Sequence, residues 1–179
     1  MWDFFEIVRY RHSVRKYQTD TPVEHEKLHG ILEMACAAPS AGDLQAYRII
    51  VVTDQHLRDN LRKAADDQAF IAEAPVCLVF CSDPERSAKK FNERGKTLYA
   101  LQDATIAATY AQLAIVAAGM ASTWVGYFNE TEVSKILNLE KDIIPIAMLS
   151  LGYPAELPSR RRGAGWMRWL SIYRSFRRA

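Results

Sequence analysis

The chain has 179 residues, 49% hydrophobic and 25% charged, with a formal net charge of +2. That suffices for one domain with a substantial core, leaves too little for two, and excludes disordered, collagenous and membrane classes. No apolar run reaches the roughly 18 residues that span a bilayer and no secretory leader pattern opens the chain, so the expected compartment is the cytoplasm, with no membrane partner.

Phe4, Phe5, Ile7 and Val8 recur at helical spacing and predict a short amphipathic helix with its apolar stripe in the core. It delivers the chain to Arg11, His12, Ser13, Val14 and Arg15. These five residues read either as a solvated basic turn or as a clamp for an anion such as a cofactor phosphate, since a guanidinium fork matches an oxyanion better than an ammonium does. Thr21, Pro22 and Glu24 supply a cap, a first-turn proline and a capping-box acid for a helix that buries Leu28, Ile31, Leu32 and Ala35 and stops at Pro39. Ala38 to Gln45 is a polar loop opened by Gly42, readable as a plain helix-to-strand connection or as part of a site. Tyr47 to Thr53 predicts a strand, and Asp54 the cap of a helix carrying Leu57, Leu61 and Ala64. Val76 to Cys81 predicts a second strand, and both strands read as interior. Thr97 to Ala118 is alanine-rich and apolar on nearly every face, a helix buried in the domain or against a second subunit, with Gly119 placed to end it. Trp124 to Phe128 is an aromatic turn or strand, Asn129 to Glu132 caps a helix with Val133, Ile136 and Leu137, and Pro145 to Leu151 is the last strand, closed by Gly152, Tyr153 and Pro154. Together these give helices enclosing a sheet of four or five strands.

Several chemistries find no support. The three cysteines, Cys36, Cys77 and Cys81, form no CxxC pair and read as core residues of a reducing compartment; Cys77 and Cys81 stand about 13 Å apart on one strand, beyond disulfide reach. His25, Glu26 and His29 match HExxH, yet Lys27 puts a charge inside the motif and no third zinc ligand follows, so no metal is expected. GxGxxG, GxxxxGK[ST] and GxSxG are all missing, which leaves any cofactor phosphate to side chains. Arg160, Arg161, Arg162, Arg168, Arg174, Arg177 and Arg178 crowd the C-terminus and keep a nucleic-acid-binding tail as a competing reading.

Arg-His-Ser-x-Arg after the first helix, Ala-Pro-Ser-Ala-Gly-Asp-Leu-Gln before the first strand, Ala74-Pro75 before the second, the Trp124-Val125-Gly126 turn, Gly152-Tyr153-Pro154, and the arginines after Pro158 fall in the order found in the FMN-dependent nitroreductase family. The sequence resembles a compact member of that family from Phe5 to Arg162. The resemblance implies an α+β fold with a central mixed sheet, residues 1–162 as one FMN-binding domain, and a homodimer with FMN at the interface. Residues 163–179 are left as a basic aromatic extension that packs on the partner subunit. It implies that Arg11, His12 and Ser13 hold the phosphate and ribityl chain, and that Arg15 approaches the pyrimidine edge of the isoalloxazine. Pro39, Ser40, Ala41, Asp43 and Gln45 would come from the partner chain, the backbone of Thr123, Trp124, Val125 and Gly126 would lie beside the ring near N5, Gln68 would reach its polar edge, and Arg160 and Arg162 would complete the phosphate site.

The implied activity is hydride transfer from NADH or NADPH through FMN to an electron-poor small molecule such as a nitroaromatic or quinone, with no side chain as acid or base and Arg15 acting electrostatically. A non-catalytic FMN-binding dimer is the other alternative. The sequence departs from the family where Asp43 replaces a commoner asparagine, and Ala46 and Tyr47 replace a proline and an aromatic; a carboxylate cannot donate to the ring unless protonated.

Overall fold

A computed structural model describes residues 3–156. Helix α1 (Phe4–Tyr10) is held by a capping box in which Asp3 and Glu6 each accept from the other's backbone N–H. Helix α2 (His25–Cys36) leads through a 3-10 turn, Ala41–Asp43, into strand β1 (Tyr47–Val52). Helices α3 (Gln55–Ala64) and α4 (Phe70–Glu73) precede strand β2 (Val76–Ser82). Helix α5 (Pro84–Arg94), a π-helical turn (Gly95–Tyr99) and helix α6 (Ala100–Ala117) follow without a loop, and strand β3 (Ala121–Val125), helix α7 (Glu130–Ile136) and strand β4 (Ile144–Gly152) complete the described residues.

The strands form one four-stranded sheet in the order β1-β2-β4-β3. Each neighbouring pair is antiparallel, so the expected mixed sheet is antiparallel among these strands, and the parallel element is a single bridge from Ser13 to Ser122. Helices cover both faces. Cys77, Val79, Cys81 and Met148 point to one core, with Leu61, Phe70, Ile71 and Val133 from α3, α4 and α7. Val76, Leu78, Phe80, Leu149 and Leu151 point to the other, with Ile31 and Ala35 of α2 and Ala104, Ala107, Ala108, Ala111 and Ile115 of α6. Burial on both faces is why β2 reads as an unbroken apolar run rather than an alternating one.

Four expectations change. Among the described residues strand β1 lies at the sheet edge, not in the interior, because β2 is its single strand neighbour there. Helix α2 starts three residues late: Glu24 is its N-cap, and the Thr21 hydroxyl donates to Gln18 Oε1 instead (3.0 Å). The Glu24 carboxylate is engaged by Lys27 and by the Tyr153 hydroxyl, which tie this corner to the end of β4 and hold its pKa down at about 2. Cys36 is exposed on the last turn of α2, whereas Cys77 and Cys81 are buried. Helix α6 is buried in the domain, as expected, along Ala104, Ala107, Ala108, Ala111 and Ile115, and its outer face is open at Leu101 and Tyr110. Finally, the apolar stripe of α1 is not core: no residue of the helix is buried, and Phe4 and Phe5 are 63% and 67% exposed.

Candidate functional site

The Arg11–Arg15 stretch is anchored along β3. Arg11 caps α1, its N–H donating to Ile7 O. Val14 N–H donates to Ser122 O (3.2 Å), the Thr123 hydroxyl donates to Val14 O, and the Val14 side chain enters the core. This pinning alternates the stretch, with Val14 inward and Ser13 and Arg15 outward. Arg15 stacks its guanidinium 5.8 Å from the centre of the Phe70 ring, a cation-π contact that steadies a charge left in solvent. Gln68, two residues before that ring, donates its amide to Ala65 O (2.9 Å).

Two buried polar atoms here have no partner among the described residues: His12 Nε2 and Ser122 Oγ. His12 Nδ1 faces the Tyr10 carbonyl and must therefore be the donor, so Nε2 is an acceptor in the neutral ring and a donor in the cation. A buried group of this kind is costly unless a ligand or water completes it. Downstream, residues 16–18 run against 153–155, with Gln18 N donating to Tyr153 O (2.9 Å) and Ala155 N to Lys16 O (3.0 Å). The last described residues thus lie one position from Arg15; Arg160, Arg162 and the 163–179 extension fall outside the described residues.

The Pro39–Gln45 loop is built differently. Gly42, Asp43 and Gln45 all hold positive φ (59°, 58° and 47°), a cramped path that needs outside support. Asp103 of α6, which sequence reasoning missed, supplies it: 2% exposed, it accepts from Ala41 N (2.8 Å) and Ala46 N (3.2 Å). The signal was a carboxylate in the first turn of an alanine-rich buried helix, where a buried polar group demands partners. Ser40 Oγ accepts from Gln45 N (2.9 Å), and the Gln45 amide donates to Cys36 O (2.6 Å). Pro39 and Asp43 are left exposed.

Trp124 and Val125 turn their side chains into the two cores, so β3 can offer a ligand only backbone there, and Gly126 lies exposed at its end. The histidines of the HExxH pattern, His25 and His29, are exposed.

The chain does not bring the two stretches together. Ser122 and Tyr47 mark opposite edges of the sheet, three strands apart, and opposite ends, six residues apart in register. At ~3.3 Å per residue and ~4.8 Å per strand they stand about 25 Å apart.

A family model described as the nitroreductase family matches residues 8–73 and 65–153, spanning both stretches, the four described strands and helices α2 to α7. The chain belongs to the nitroreductase family. Among similar proteins, an NADH dehydrogenase of Thermus thermophilus is 34% identical, covering 84% of this chain and 87% of that protein. An FMN reductase (NAD(P)H) of Bacillus subtilis is 30% identical over 83% of this chain and 65% of its own length. The solved FMN-dependent nitroreductase of Clostridium difficile superposes with a TM-score of 0.82 at 26% identity, covering 97% of this chain and 100% of that one.

Proposed function

We propose that this protein is an FMN-dependent oxidoreductase that uses NADH or NADPH to reduce an electron-poor small molecule, a nitroaromatic or a quinone, and that two copies of the chain build each flavin site. The observation that carries the reading is the cationic corner at Arg11–Arg15, where two arginines flank the unpartnered polar atoms of His12 and Ser122. That donor and acceptor set suits a phosphate joined to a polyhydroxyl chain, and it explains how a phosphate is held without a glycine loop. The residues present therefore fit FMN.

When bound, FMN would supply the two-electron chemistry that links oxidation of NAD(P)H to reduction of the acceptor. The chain's own residues bind and orient. Arg11, His12 and Ser13 hold the phosphate and ribityl end, joined by Arg160 and Arg162, which follow Glu156 by four and six residues in the sequence. Arg15 places a positive charge where negative charge collects at the pyrimidine edge on reduction. Backbone from Thr123 to Gly126 lines the ring.

Pro39, Ser40, Ala41, Asp43 and Gln45 of a second copy close the site, because the same chain's loop lies too far away for one ring to meet both stretches. The open apolar faces of α1 and α6, which touch each other, give that second copy a surface to bury. Purified protein should be yellow, release FMN on denaturation, lose its visible absorbance when mixed anaerobically with NADH or NADPH, and recover it on adding a quinone. A colourless protein that takes up no added FMN would overturn the reading.

A further inference from the structure

Helix α5 ends in a break. Asn92 sits at φ 50° and ψ −139°, and the π-helical turn Gly95–Tyr99 carries the chain into α6. Gly95 is required there, since a Cβ would lie 2.5 Å from the Ser87 carbonyl oxygen. Such strain and π-helical turns gather at functional sites.

Around the break, Phe91 and Tyr99 meet edge to face, their centroids 5.1 Å apart at 89°. Arg94 lies 5.4 Å from the Tyr99 ring centre and donates from Nε to its hydroxyl (2.9 Å). Lys90 Nζ lies 5.5 Å from the Phe91 ring centre and donates to the Gly42 carbonyl (3.3 Å). The group is thereby seated on the Pro39–Gln45 loop: a Cβ at Gly42 would stand 2.9 Å from Phe91 Cζ. Among the described residues neither Lys90 nor Arg94 has a carboxylate partner, whereas Lys96 of the same segment is held by Glu85 at 2.5 Å. Two cations without a carboxylate partner among the described residues, framed by aromatic rings, are suited to an anionic group on a molecule that also carries a planar ring.

We propose that Lys90 and Arg94, with Phe91 and Tyr99, form a charge-selective site for a ring-bearing anion beside the flavin. The proposal rests on the FMN reading, because the loop beneath the cluster is one of the two stretches assigned to the ring. Two ligands carry this chemistry: the adenosine 2′-phosphate of NADPH and an anionic aromatic acceptor such as a nitrobenzoate.

Steady-state kinetics per bound FMN, with NADPH against NADH and nitrobenzoate against nitrobenzene, tests it in the wild type, Lys90→Ala/Arg94→Ala and the charge-conserving Lys90→Arg/Arg94→Lys. The alanine pair should lose about tenfold in kcat/KM, carried by KM, for the member of one pairing that bears the extra anionic group (the 2′-phosphate or the carboxylate) relative to the member that lacks it, and the charge-conserving pair should keep it. A loss confined to NADPH assigns the phosphate, and one confined to nitrobenzoate assigns the acceptor. An FMN-loaded, active enzyme in which both members of each pairing respond alike overturns the proposal alone; a protein that binds no FMN overturns it together with the flavin reading.

Discussion

Replacing Asp103 by asparagine keeps the side-chain shape but turns one acceptor into a donor facing a backbone N–H of the Ala41–Ala46 loop. The loop would lose one of its two anchors and leave a buried polar group unmet, so Asp103→Asn should destabilise the fold by about 1–3 kcal/mol and release FMN more readily. Urea denaturation and flavin retention on dialysis measure both, and an unchanged midpoint with full retention would contradict the role given to Asp103. Arg15 is different, because it is exposed and its one described ring contact is with Phe70. Arg15→Ala should leave the denaturation midpoint within about 0.5 kcal/mol of wild type while weakening FMN binding or slowing its reduction; equal flavin content and turnover would remove Arg15 from the site. Arg15 was legible in the sequence because a cation next to a serine and a histidine is a chemical pattern. Asp103 was not picked out, because its meaning comes from two backbone groups about 60 residues away in sequence.

At the scale of elements, local chemistry was legible and neighbourhood was not. Asp54 and Asn129 cap α3 and α7 as expected, since each accepts from a backbone N–H three residues on. The edge position of β1, by contrast, depends on which strands lie beside it, and its β-branched composition says nothing about that. Gly95 and the break at Asn92 follow from the approach of the Ser87 backbone, a tertiary contact with no local signature. The stripe of α1 was correctly apolar and wrongly placed, since a hydrophobic periodicity marks a face to be covered without saying by what. In the two-copy account, α1 is covered by the second chain. Phe4→Glu with Phe5→Glu should therefore yield a folded monomer in sedimentation velocity, with unchanged helix content and little bound flavin, and a persistent dimer would exclude this face from the interface.

The whole molecule carries an alkaline weakness. Burial raises the Cys77 and Cys81 thiols from 9.0 to about 12, and burial likewise raises the Tyr17 phenol, from 10.0 to about 12, despite its side-chain hydrogen bond with Ser150 Oγ. Each group is neutral in the fold and ionises first in the unfolded chain, so its contribution is whole below pH 9.0 or 10.0 and is lost as pH climbs towards about 12. Each should remove about 1.4 kcal/mol per pH unit within its window, and Tyr17→Phe should flatten the fall above pH 10 in urea titrations. A stability that stays level from pH 8 to 11 would contradict the burial of these groups. The two-copy flavin site is the larger claim, and mixing tests it directly. Arg11→Glu/Arg15→Glu removes one stretch and Ser40→Trp obstructs the other, so each variant alone should bind no FMN. When the two are coexpressed and pair at random, half of the dimers are mixed and each holds one intact site, which by two-fold symmetry restores about a quarter of the wild-type flavin content and NAD(P)H oxidation. No recovery in demonstrated mixed dimers would mean that one chain holds both halves of its site, and would contradict the account.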